Sequence, residues 1–377
     1  MLPGRSVGGH VRLRHRRPGY RAPVFDSLPL VADIALFAAA AAAVWMAGIK
    51  LSDSTDVLSS RLGLGEALGG LILLAVATTL PEIAITVTAA ASGAVGIATG
   101  NILGGIAIQT VVLVALDAFG TRGSRPLSYR GASLILVLEA AAVIAVLSVV
   151  VMGNQLQSLV VWRLAPGEVL IAALWVGSLL LVRQAGKGLP WQERGEAPES
   201  QKKPAGHSRA ANAADADTKR VGTARAATVF GAAALVTLAG GVILEQSGDE
   251  IAQKIGIGGV LFGATILAAA TSLPELSTGL ASAKLGDYKL AFSDIFGGNA
   301  FLPVLFLLAG LISGKSILPL AQPSDIYLTG LGILLTAVYL VGLILRPKRR
   351  IAGMGLDSLV VLILYAVGVI GLVAIHA

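Results

Sequence analysis

The chain has 377 residues, 55% of them hydrophobic and only 14% charged, with no cysteine and a net charge of +7; its mean hydropathy is +0.79. A soluble domain carries about 25% charged residues, so the composition excludes one, and the missing thiols exclude disulfides, thiolate metal sites and cysteine catalysis. The basic residues lie in tails and loops between apolar runs, which reads as membrane orientation and not as nucleic-acid binding.

Residues 1–23 form a basic tail with Arg12, Arg14, Arg16, Arg17 and Arg21, expected to be disordered. Apolar runs long enough to cross a bilayer, about 20 residues each, follow at 28–49, 65–92, 96–119, 131–152 and 166–182. A polar hinge, 50–61, separates the first two. Residues 183–225 are rich in charge, alanine, glutamine and proline; such a stretch buries no core and is expected to be a disordered linker. Five more runs come after it, at 226–244, 258–283, 290–312, 326–345 and 356–375, with a second polar hinge at 245–254. The predicted organisation is a tail (1–23), a first five-helix repeat (24–182), a linker (183–225) and a second five-helix repeat (226–377).

The halves share a stretch. Leu68 to Glu82 aligns with Leu261 to Glu275 at a constant offset of 193 positions, and nine of the fifteen pairs are identical. The same offset sets Asn101 opposite Asp294 and Gly104-Gly105 opposite Gly297-Gly298. Because five spans is an odd number, the second copy enters the membrane from the other side. The expected fold is therefore all-α, ten transmembrane helices in two inverted five-helix repeats, with equivalent residues meeting near the midplane.

Each copy sets a proline and an acid inside an apolar run. Without an N–H, Pro81 leaves the carbonyl of Ala77 unbonded and Pro274 leaves that of Ala270; at membrane depth such carbonyls face protein or a water-filled cavity. The hydroxyls of Thr78, Thr79, Thr271 and Ser272 precede the glutamates by three or four residues and share their helical face. Converging hydroxyl, carbonyl and carboxylate oxygens suit a hard cation, and an acid in the bilayer costs about 2.5–3.5 kcal/mol even on the lenient insertion scale. Glu82 and Glu275 are thus the expected metal-binding pair. Glu139, in the fourth run, is expected to pair with a neighbouring helix, and Asp33 and Asp325 read as favourable charges at helix starts. With the amino terminus outside, inner loops hold 20 of the 29 Lys and Arg residues, which puts the 183–225 linker in the cytoplasm.

The repeated Thr-Thr/Ser-Leu-Pro-Glu resembles the signature of the calcium/cation antiporter superfamily, whose best-known members are sodium/calcium exchangers. The resemblance implies ten core spans in two inverted repeats. It also implies Glu82 and Glu275 as central acidic ligands, with Thr78, Thr79, Thr271 and Ser272 as hydroxyl and carbonyl ligands. Ala77 and Ala270 stand where the family's motif begins with glycine. Gly100-Asn101-Ile102-Leu103-Gly104 matches the third-helix motif, and Asp294 replaces its asparagine in the second copy. Gly105 and Gly298 stand where sodium-coupled members carry serines, and Gln109 and Leu302 where they often place Asn or Asp. Three side-chain oxygens are thereby lost and one carboxylate gained, which favours a proton as coupling ion.

The implied function is a secondary active antiporter in the plasma (inner) membrane. It would exchange Ca²⁺ or a similar cation for Na⁺ or H⁺ by alternating access, spans 1 and 6 sliding against the remaining bundle. Its partners would be inorganic cations and the lipid bilayer, with no cofactor and no nucleic acid. The alternatives are a Na⁺/H⁺ or other monovalent cation exchanger of the same fold, a passive channel or scaffold, and an intramembrane enzyme. The last is disfavoured, because the symmetric acids are glutamates behind helix-breaking prolines and all four histidines lie in tails or the linker.

Overall fold

The computed structural model describes residues 28–62, 78–121, 123–156, 165–188, 190, 222–286 and 288–376. The predicted tail 1–23, most of the linker, Ala77 and the first part of the 65–92 run lie outside these residues. The described chain is helical almost throughout. Its first half holds α1 (Leu30–Leu62), α2 (Leu80–Ser92), α3 (Val95–Ala115, continued by a π-helical turn, Leu116–Gly120), short α4 (Leu127–Gly131), α5 (Leu134–Gln155) and α6 (Pro166–Ala185). The second half begins with α7 (Thr223–Ile255), then α8 (Gly259–Phe262), a π-helical turn (Gly263–Leu267), α9 (Ala268–Thr271) and α10 (Leu273–Leu285). It continues with α11 (Tyr288–Phe301), a 3₁₀ turn (Leu302–Val304) and α12 (Leu305–Ser313), then a second 3₁₀ turn (Leu318–Leu320) and α13 (Pro323–Leu345). A two-residue hairpin, β1 (Arg350–Ile351) with β2 (Met354–Gly355), leads into α14 (Leu356–His376).

Among the described residues nine helical segments are long and apolar enough to cross a membrane, and α2 supplies the described part of the tenth predicted run. The residue distribution is that of a protein in lipid. Val31, Leu345 and Ile370 are 70% exposed or more, while Glu82, Asn101 and Thr271 are fully buried. The protein is an all-α, multi-pass membrane protein built as two inverted repeats.

Two expectations need correction. The predicted hinges 50–61 and 245–254 are not breaks: α1 runs on to Leu62 and α7 to Ile255. Hydropathy marks where a helix leaves the apolar layer, whereas a helix ends where its backbone is interrupted. Neither hinge contains a proline, and α7 stops only at Gly256, whose φ of +76° is a left-handed cap,. Helix α4 and the 350–355 hairpin lie between predicted spans and were not foreseen.

The pseudo-two-fold is visible in residue pairs that swap under the 193 offset. A Cβ on Gly48 of α1 would meet Pro274 Cβ at 2.8 Å, and one on Gly241 of α7 would meet the Pro81 carbonyl oxygen at 3.0 Å. Likewise Gly105 faces Leu302 and Gly298 faces Gln109, each across 3.4 Å. On the axis a residue must touch its own counterpart, and Asn299 Nδ2 donates to the carbonyl of Ile106, its counterpart, at 3.4 Å, and to Thr110 Oγ1 at 3.2 Å.

Around this axis α1 packs along α7, α7 on α2, and α1 on α10. Lys254 of α7 pairs with Asp33 of α1 at 2.5 Å, so Asp33 has an ion-pair partner besides its place in the first turn. The main core joins α3, α5, α11, α12, α13 and α14 through residues such as Ile106, Leu147, Phe292, Phe296 and Tyr339. The basic loops meet at one end of the bundle: Arg125 donates to the Lys348 carbonyl and Arg350 to those of Gly123 and Asp117. Asp117 holds this end together, its carboxylate accepting from the N–H of Leu127 and Gly355 and from Ser358 Oγ.

Candidate cation site

Both Pro-Glu motifs break their helices in one way. Thr79 and Ser272 each have φ −83° and ψ 2°, the bridge region where a helix stops without reversing. The following proline then sits in the first turn of a new helix, where its missing N–H costs nothing. Glu82 and Glu275 therefore stand in first turns, with the backbone N–H groups of α2 and α10 behind them,. The carbonyl oxygens of Thr79 and Ser272 are taken by the N–H of Ile83 and Leu276.

The interior brings the acids into one neighbourhood. Glu82 is fully buried, Glu275 3% exposed and Asp294 7% exposed. The charges of Glu82 and Asp294 both act on the Glu275 carboxylate, and Thr271 is the side chain of the other repeat beside Glu82. Thr271 and Ser272 turn their hydroxyls to the Ala268 carbonyl at 3.2 and 2.8 Å, which leaves their oxygen lone pairs available. Thr78 and Thr79 are buried at the break of the first repeat, and Ala270 lines the second. Ala77 lies outside the described residues.

Donors are missing where acids are present. Both carboxylate oxygens of Glu82, and Oε2 of Glu275, are buried without a well-formed hydrogen bond; the Thr271 hydroxyl stands near Glu82 but is turned to the Ala268 carbonyl. Asn101 is fully buried with neither amide atom bonded; its backbone packs against Gly263. Gln109 stands two turns further along α3, facing Gly298, with Oε1 unbonded. Buried polar atoms are normally paired, so these oxygens are available to a ligand. Carboxylate, amide and hydroxyl oxygens are the ligands of hard cations. Among the described residues no three acids or histidines stand at metal-ligating spacing, so a cation here would draw on two carboxylates and neutral oxygens.

Two polar residues of this region were not foreseen. Thr278 Oγ1 is placed to donate to Asp294 Oδ2 at 3.1 Å or to the carbonyls of Pro274 and Glu275 at 3.1 and 3.2 Å. It follows Glu275 by three residues, so helical periodicity could have found it. Ser293 donates to Glu139 Oε1 at 2.9 Å; only its place beside Asp294 hinted at this. Glu139 pairs with a neighbouring helix, as expected.

Comparison with known proteins bears on the family and the fold. The family model described as sodium/calcium exchanger protein matches residues 32–182 and 225–374. The putative antiporter CaxA of Alkalimonas amylolytica is 25% identical over 333 residues, 85% of this chain and 93% of the relative. The inner membrane protein YrbG of Escherichia coli (strain K12) is 24% identical over 284 residues, 73% of this chain and 78% of the relative. The crystal structure of the H⁺/Ca²⁺ exchanger CAX superposes with a TM-score of 0.63 at 14% identity, covering 94% of this chain and 87% of that one, which is a likeness of fold.

Proposed function

The chain belongs to the sodium/calcium exchanger protein family, and on that premise we propose that it is a secondary active antiporter exchanging Ca²⁺, or a similar hard cation, for Na⁺ or H⁺ by alternating access. The observation that carries this reading is the pair of symmetry mates Glu82 and Glu275, each in the first turn behind a helix break and each with buried carboxylate oxygen lacking a donor. Two carboxylates neutralise one divalent ion. The same pair accepts monovalent ions or protons in its place, and competition for one site couples the two fluxes.

Asn101, Thr271, Ser272, Thr78 and Thr79 would supply neutral oxygens, and Asp294 and Gln109 would tune the site from the third helix of each repeat. The substrate cation is held by the chain itself, so no cofactor enters the proposal. The five-helix units 24–182 and 226–377 would form the two halves, and the linker 183–225 would face the cytoplasm, since loops on that side carry most of the Lys and Arg,.

The test is radiolabelled calcium uptake into liposomes holding the purified chain, under imposed Na⁺ or H⁺ gradients. Glu82→Gln or Glu275→Gln should abolish uptake under either gradient. Unchanged uptake in both variants refutes the assigned site.

A further inference from the structure

One buried acid is not used by the central site. Glu139 stands five residues after Leu134, about 8 Å into α5, and is 7% exposed. Its Oε1 accepts the Ser293 hydroxyl at 2.9 Å, while Oε2 is buried without a donor. Among the described residues Ser293 is its one hydrogen-bond partner, and no cation pairs with it.

Several ionisable groups on the elements packed against α5 have partners of their own. On α11, Asp294 takes the Thr278 hydroxyl and Tyr288 takes Arg130. On α13, Tyr339 donates to Ser358 and Asp325 accepts from the Gln322 N–H. On α6, Glu168 accepts from Ser316 Oγ and the N–H of Ile317 and Leu318. An acid at membrane depth with no counter-charge is retained for what it binds, not for the packing it provides.

The acids are unevenly shared between the halves. The 193 offset carries Asp294 back to Asn101, an amide.

Glu139 and Asp294 lie toward the same end. Asp294 is six residues after Tyr288, about 9 Å into α11, at the depth of Glu139. That end is the one where Arg130 meets Tyr288 and the basic loops gather. Ser293 and Asp294 are consecutive, one bonded to Glu139 and the other to Thr278, which in turn reaches the Glu275 carbonyl. Oxygens therefore run from the central acids toward the basic end.

We propose that Glu139 is a proton-binding station on the path between the central site and the basic-loop face, and that the proton is the ion exchanged there. The inference rests on the antiport reading above. The step is a proton transfer only: as the next divalent cation binds the central site, a protonated central carboxylate gives up its proton, Oε2 of Glu139 accepts it, and Oε2 then yields it to water at the basic-loop end.

The experiment uses the full chain in liposomes with radiolabelled calcium as the probe. It compares calcium/calcium counterflow, which needs only the central site, with uptake driven by an imposed pH gradient and followed by an internal pH dye. Glu139→Gln should keep counterflow while gradient-driven uptake falls by about tenfold, within the usual range of coupling between two sites. If Glu139→Gln does not purify as a single species, Glu139→Asp is measured instead: retained pH-driven uptake supports the station and its loss overturns it. Undiminished pH-driven uptake in Glu139→Gln, or an equal loss of both fluxes, also overturns it. A wild type with counterflow and Na⁺-driven uptake but no pH-driven uptake overturns the proton assignment and leaves antiport standing. A wild type without counterflow sinks the antiport reading itself, and the inference with it.

Discussion

Helix α3 crosses the second repeat at backbone distance, which makes Gly104→Ala a sharp test of how the site is held. A Cβ at position 104 would stand 2.6 Å from the Ala264 carbonyl oxygen and 2.7 Å from its carbonyl carbon. Both are backbone atoms of the π-helical turn Gly263–Leu267, so no side chain can rotate away. Opening the oxygen contact alone to 3.4 Å, where ordinary packing begins, takes 0.8 Å, and the Ala264 Cα, which stands nearer still, requires the segments to part further. Overpacking of this kind costs about 1–3 kcal/mol, a factor of roughly 5 or more in the folded-to-unfolded ratio. The displacement also carries Asn101, one turn earlier on α3, away from the second repeat. The assay is the fraction of purified protein that stays monodisperse in detergent after heating, with calcium uptake measured in parallel. Gly105→Ala is the control, because its Cβ would meet only Leu302 Cδ1, at 3.4 Å. Gly104→Ala should lose both heat resistance and uptake while Gly105→Ala keeps them. If the two variants and the wild type melt together, the close approach does not position α3.

Asp117→Ala removes the acceptor for two buried N–H groups and the Ser358 hydroxyl, each costing about 1–3 kcal/mol if left unbonded. Limited proteolysis should then cut faster between Arg346 and Gly355; an unchanged digest contradicts the role given to Asp117. Lys254→Met leaves Asp33 buried opposite no cation and should lower thermal stability, by less than the loss of a fully buried pair would, since the Lys254 side chain is 26% exposed. Adding Asp33→Asn should recover most of the lost thermal stability, and no recovery means that the pair is not what α1 and α7 share. Gly298→Ser has room, its Cβ standing 3.4 Å from Gln109 Oε1. It should keep wild-type melting and make calcium uptake more sensitive to Na⁺; a melting loss as large as that of Gly104→Ala would contradict the packing described at position 298.

The duplication was legible because membrane burial leaves few ways to satisfy a proline and an acid. The 193 offset read from Leu68–Glu82 and Leu261–Glu275 also relates Gly48 to Gly241 and Ile106 to Asn299, pairs that no motif marked. Helix ends were less legible. Lys50 and Glu245 signal an exit from the apolar layer, yet helices α1 and α7 continue through them. Asp325 behaves as periodicity and capping suggest, accepting from the Gln322 N–H. Partners distant in sequence were out of reach: the Ser293–Glu139 bond and the Lys254–Asp33 pair depend on how helices cross. No local pattern encodes a crossing.

The contact between Asn299 and Ile106 has a consequence for rebuilding the molecule from one half. Two copies of the second half would bring amide to amide at the centre, in place of the amide that now finds a carbonyl and the Thr110 hydroxyl. Two copies of the first would bring isoleucine to isoleucine and leave the centre without a polar tie. A self-paired half-molecule therefore needs a new residue at this one position, whereas the peripheral glycine–proline seats would reassemble unaltered.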